Sequence, residues 1–162
     1  MNITDFQQNG NELTVIRNFD AELGLVWRAW TEADLLDQWW APAPWKSETS
    51  HMEFKVGGYR IYAMVGPEGE RHVGRTDYKV IDKPKSFEGE DAFCDADGNV
   101  NPALPVSKFV NSFKQSGSQT TVTVVTVYDS VAQLQPVIDM GMKEGLSMAY
   151  DQLDTVLKST QN

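Results

Sequence analysis

Residues 131–158, VAQLQPVIDMGMKEGLSMAYDQLDTVLK, form the one segment long and periodic enough to be a long helix. About Met142, the residues Ile138, Gly145, Leu146, Ala149, Leu153, Val156 and Leu157 share one face at helical spacing, while Lys143, Glu144, Ser147, Asp151, Asp154 and Lys158 share the other. Ser130 is placed to cap the start, and Pro136 either begins the regular part of the helix or kinks it. Gly145 sits in the apolar stripe and Gly141 one turn earlier at its edge. Each glycine costs a helix interior about 1 kcal/mol relative to alanine, so a compensation is expected. Either a neighbouring backbone packs closely there, or the missing side chains leave a hollow for a ligand. Pairing of two membrane helices through these glycines is excluded by the charges throughout the segment.

Composition sets the frame. A chain of 162 residues is expected to be one domain, with a core over residues 12–158 and flexible ends at 1–11 and 159–162. The formal charge of -9 repels nucleic acid and anionic membrane surfaces, so neither is an expected partner. Cys94 is the sole cysteine and can form no internal disulfide. Residues 1–10 lack the basic start and apolar core of a signal peptide, and a cytoplasmic setting is expected.

The remaining order follows from changes of period. Residues 12–20 alternate as a first strand; residues 21–31 and 32–40 read as two short helices ended by Pro42 and Pro44. Six antiparallel strands follow over residues 45–54, 58–65, 71–82, 86–94, 106–115 and 119–128, separated by glycine, proline and acidic turns. The predicted fold is α+β: a curved seven-stranded antiparallel sheet wrapped around a long C-terminal helix, with two short helices after the first strand. The space between helix and sheet is where a small-molecule pocket is expected. The second helix and the long turn 95–105 are the natural candidates for its lid.

Several motifs, in order, resemble the START-like (SRPBCC, helix-grip) superfamily, and within it the domains similar to the C-terminal domain of the Hsp90 ATPase activator. They are Val26-Trp27-Arg28-Ala29-Trp30-Thr31, Trp39-Trp40-Ala41-Pro42, Phe54-Lys55-Val56-Gly57-Gly58-Tyr59-Arg60, Gly66-Pro67-Glu68-Gly69, Gly74 ahead of Ile81-Asp82-Lys83-Pro84, and Met140-Gly141-Met142-Lys143-Glu144-Gly145-Leu146. The resemblance covers residues 13–157. It implies a helix-grip fold and three functional classes: binding of small hydrophobic molecules in the grip, contact with a chaperone, or cyclase or dehydratase chemistry. The chain departs from the family in carrying Leu146 after Gly145, where an aromatic is frequent, and Arg60, where an aromatic or apolar residue is usual.

Strand parity and the family register together point a set of side chains at the helix. The candidate ligand-binding residues are Trp40, Phe54, Arg60, Tyr62, Met64, Tyr78, Phe93 and Phe109, with Gly141, Met142, Gly145 and Leu146 on the helix; Phe113, Val122, Val124 and Tyr128 share that side. Aromatic and methionine side chains suit irregular apolar ligands and equally fill cores. An inward Arg60 needs a carboxylate, such as Glu48 or Asp77, or the anionic end of a ligand; an outward one is an ordinary solvated arginine. His51 and His72 stand in no metal-ligand spacing, Asp95-Ala96-Asp97-Gly98-Asn99 lacks the closing glutamate of a calcium loop, and no catalytic or cofactor motif is present. The leading reading is a domain that binds a small hydrophobic or amphipathic molecule, without metal or cofactor. The alternative is a module that contacts a chaperone or another protein. An enzyme using Arg60, Tyr62, Tyr78 or His51 for proton transfer ranks third.

Overall fold

The computed structural model describes residues 3–161. The elements run β1 (Asp5–Asn9), β2 (Glu12–Phe19), α1 (Leu23–Thr31), α2 (Ala33–Leu36), β3 (Lys46–Met52) and β4 (Tyr59–Val65). They continue with β5 (Arg71–Asp82), β6 (Ser86–Phe93), β7 (Ser107–Ser116), β8 (Gln119–Val127), α3 (Val131–Asp139) and α4 (Met142–Gln161). The strands form one antiparallel sheet in the order β1-β2-β8-β7-β6-β5-β4-β3. The α+β helix-grip architecture is therefore present, with a curved sheet around α4.

Three details differ from the sequence expectation. The sheet has eight strands rather than seven, because Asp5–Asn9 pairs with β2 from Asp5 opposite Ile16 to Asn9 opposite Glu12. This segment is polar apart from Phe6 and carries no alternation, so the backbone of β2 supplies the order that its side chains do not signal. The long C-terminal helix is two helices. Ser130 caps α3 as expected, its hydroxyl accepting from the Gln133 N–H, and Pro136 lies inside α3. The chain then breaks at Gly141, whose φ of 94° is a left-handed value that favours glycine. The 95–105 turn lies on the convex side of the sheet rather than over its concave side. The Gly98 carbonyl accepts from outward-facing Arg75, and Gly98 packs against Ile61.

The apolar face of α4 closes the concave side. Ala149, Leu153, Val156 and Leu157 are buried there, together with Tyr150, whose ring meets Phe19 and Trp30 edge-on. Beneath the helix, β2 turns Leu13, Val15, Arg17 and Phe19 to the same buried face. Arg17 is 2% exposed and is held by Asp151 at 2.8 Å and by Asp154, both from α4. The roof is fastened by Gln152, which donates to the Trp39 and Ala41 carbonyls and accepts from the Ala43 N–H. Among the described residues, no helix is long and apolar enough to cross a membrane.

Replacing Arg17 by alanine strips the counter-charge from Asp154 and empties a buried volume. The expected loss is about 3 kcal/mol, the scale of breaking a buried ion pair, measured as a shift of the urea midpoint at constant m. A loss below about 1 kcal/mol would show that the helix is fixed by its apolar face alone.

Candidate functional site

A cavity of about 140 Å³ lies between α4 and the concave sheet. Its roof comes from Trp30 of α1, Leu36 of α2 and Trp40 just beyond; Leu146 and Tyr150 of α4 form one wall. The sheet supplies Arg60, Thr76, Tyr78 and Phe87 on one side, then Asp91, Phe109 and Asn111, then Val124 and Thr126 of β8. Strand parity explains this set, since Arg60 in β4, Thr76 and Tyr78 in β5, Phe87 and Asp91 in β6, and Phe109 and Asn111 in β7 all point to the concave face.

Of the candidate ligand-binding residues read from sequence, Trp40, Arg60, Tyr78, Phe109 and Leu146 line this cavity, as does Val124, expected on the same side. The others lie off it. Phe54 packs edge-on against Trp27, Tyr78 and Phe87 as part of the core. Tyr62 lies under the Arg60 guanidinium, 4.2 Å from its ring centroid, in space that Gly74 leaves open; a Cβ at Gly74 would approach that ring to 2.8 Å. Met64 is half-buried farther along β4, and Phe93 is exposed at the end of β6. Gly141 is the helix break, and Met142 packs at the edge of the core. A Cβ at Gly145 would meet only Pro42 Cγ, at an ordinary 3.7 Å, so that glycine adjoins the roof loop rather than the sheet. His51 stacks on Tyr59, away from the cavity.

Arg60 points inward and is 2% exposed. Its partners are not the carboxylates considered from sequence: Glu48 meets Arg71, and Asp77 meets Arg75. Arg60 instead donates to Thr49 Oγ1 at 3.1 Å, Ser47 Oγ at 3.1 Å and Asp37 Oδ1 at 3.4 Å. Asp37, just after α2, also accepts from Ser47 Oγ, Thr49 Oγ1 and the Thr49 N–H. One carboxylate thus fastens the roof to β3 and compensates the buried arginine. No periodicity joins Asp37 to Arg60, which is why the pair is invisible in the sequence.

Asp91 of β6 lines the cavity and is absent from the residues singled out by sequence. Its Oδ1 accepts from Thr76 Oγ1 at 2.6 Å. Burial raises its pKa to about 6, against the lowering effects of the Thr76 hydroxyl and the Arg60 charge, with Asp77 adding to the rise. Tyr62 is pushed up to about 12 by burial, with Asp91 adding and Arg60 opposing. The Tyr78 phenol is also raised by burial. Parity with Phe87 was the available signal for Asp91. Among the described residues, no three His, Cys, Asp or Glu side chains converge as a metal site.

Comparison with known proteins gives consistent results. A family model described as Activator of Hsp90 ATPase homolog 1-like protein matches residues 20–158. The crystal structure of protein Ms6760 from Mycobacterium smegmatis is 34% identical with a TM-score of 0.87, covering 96% of each chain. A solution structure of a protein from Arthrobacter aurescens is 29% identical with a TM-score of 0.88, covering 96% of this chain and 91% of that one. Protein NE0264 from Nitrosomonas europaea is 26% identical with a TM-score of 0.81, covering 93% of this chain and 96% of that one. No curated protein matches the chain.

The raised pKa of Asp91 has a definite sign. Its contribution to stability is fully present below the unfolded value near 3.9 and is lost as the pH rises through about 6. Asp91→Asn should therefore gain about 2 kcal/mol relative to wild type between pH 4.5 and pH 7.5, read from urea unfolding at the two pH values. A pH-independent difference between the two proteins would contradict this assignment.

Proposed function

This chain belongs to the Activator of Hsp90 ATPase homolog 1-like family within the START-like superfamily, and on that premise we propose that it binds one compact, mainly apolar small molecule between α4 and the concave sheet. The observation that carries this reading is the cavity itself, about 140 Å³ with walls of tryptophan, tyrosine, phenylalanine and leucine. Its size narrows the ligand. An apolar protein cavity of about 150 Å³ holds benzene, whereas drug-sized ligands occupy pockets of about 300–1,000 Å³. One ring fills the lined space, and the remainder of any longer molecule would extend out of it toward solvent. The single cysteine goes with a reducing compartment, and we place this function in the cytoplasm.

The family's description favours a second reading, contact with a chaperone. With a net charge of -9, the partner surface would be basic. Stimulation of a chaperone ATPase by the purified chain would establish that reading.

Toluene at about a hundredfold its Kd should add about 2.7 kcal/mol of stability, or roughly 5–10 °C in Tm. Leu146→Trp, which places an indole in the cavity, should abolish the shift while remaining folded by circular dichroism. A wild-type protein whose melting is unmoved by single-ring compounds would set this reading aside in favour of the protein partner.

A further inference from the structure

The lining of the cavity is uneven in depth. Arg60, Tyr78, Phe87 and Phe109 are buried, whereas Trp40 of the roof, Leu146 of α4, and Asp91 and Thr126 of the sheet are half-buried. The cavity therefore runs from a mouth between roof, helix and sheet to an aromatic interior. Asp91 stands at that mouth. Its Oδ1 accepts from Thr76 Oγ1, while its Oδ2 accepts from no described residue and keeps accessible surface, unlike the enclosed unpaired atoms of Trp40 and Asn111. A carboxylate oxygen with room beside it takes a donor from whatever occupies the cavity.

The sheet register flanks that carboxylate with rings. Asp91 pairs with Thr76 of β5 and Ser107 of β7; two residues inward on the same face, Gly89 pairs with Tyr78 and Phe109. No side chain at Gly89 separates those rings from Asp91, and a Cβ there would come within 3.1 Å of Phe109 Cζ. Diagonal neighbours on one face of an antiparallel pair lie about 7–8 Å apart. A group bonded to Oδ2 is thus within reach of two aromatic rings, whose faces attract a cation.

Charge decides which donor is selected. Arg60 is the other charged residue on the lining, and its guanidinium is already engaged by Ser47, Thr49 and Asp37 and lies over the Tyr62 ring. Asp37 offsets its charge. Of the remaining titratable groups around Asp91, Asp77 is paired with Arg75, and burial keeps the phenols of Tyr62, Tyr78 and Tyr128 neutral. The roof and α4 bring no charged residue to the lining. One negative charge is left over at the mouth, so an acid-bearing ligand is repelled and a cation is attracted.

We propose that the ligand is a single-ring primary amine, its ring among Tyr78, Phe87 and Phe109 and its ammonium donating to Asp91 Oδ2. This inference rests on the cavity-binding reading above and names the chemical class that the site selects. The test titrates the full chain calorimetrically with three probes of similar size: benzylamine, benzyl alcohol and benzoate.

At pH 7.5 benzylamine should bind about tenfold or more tighter than either of the others, the scale of a charge-assisted bond over a neutral one. Its affinity should fall about tenfold at pH 5.0, where Asp91, with a pKa of about 6, is mostly protonated while the amine keeps its charge. Asp91→Asn should bind benzylamine no better than benzyl alcohol, equally at the two pH values. Benzyl alcohol or benzoate binding as tightly as benzylamine would overturn amine recognition while leaving cavity binding intact. So would an Asp91→Asn protein that keeps the preference, or a wild-type affinity unmoved by pH. Failure of all three probes to bind would overturn the cavity-binding reading and this inference with it.

Discussion

An open antiparallel sheet curved around one helix depends on where that helix is held, and here the holding group is Arg17. It sits on the same face of β2 as Leu13, Val15 and Phe19, is buried, and cannot lose its charge. Its partners Asp151 and Asp154 are three residues apart, hence on one side of α4. A buried ion pair adds little net stability compared with apolar packing of similar volume, yet a mispositioned helix would leave the charge uncompensated. Arg17 therefore acts on position. Gln152, on the same helix between the two aspartates, carries that position to the roof through the carbonyls of Trp39 and Ala41 and the N–H of Ala43.

The roof is fixed a second time from the other side. Asp37 binds Ser47 and Thr49 of β3 and the guanidinium of Arg60 in β4. With α4 positioned from β2 and the roof positioned from β3, the aromatic side chains between them are not free to collapse onto one another. A cavity among Tyr78, Phe87, Phe109 and Leu146 follows from directional polar contacts at its periphery, since apolar packing alone would tend to close it.

Much of this fold is legible in the sequence because its elements are locally consistent. β4 to β8 alternate and are separated by turn residues, so their spans agree with the sequence to within about two residues. What is not legible is local only in part. By sequence Gly141 is a cost within a continuous helix, whereas Met140-Gly141 is the break itself; periodicity summed across residues 131–158 cannot distinguish the two. Arg17 and Asp91 share parity with Leu13 and Phe87 respectively, and an apolar-first reading passes over a charge in such a position. The Asp37–Arg60 pair, 23 residues apart, exists only once the roof has met the sheet.

The composition of the cavity argues about its purpose. A space that served only as core would gain by having apolar side chains at Thr76, Asp91, Asn111 and Thr126, because each buried polar group carries a desolvation cost that needs a partner to offset it. Thr76 and Asp91 satisfy each other in part, through one oxygen of the carboxylate. Asn111 has no such neighbour for its Oδ1. Polar groups retained at a net cost set this small aromatic cavity apart from ordinary apolar core packing. The same burial that makes those groups costly strengthens the bonds they do form, so the cost of burying Asp91 and the strength of its bond to Thr76 have one physical origin.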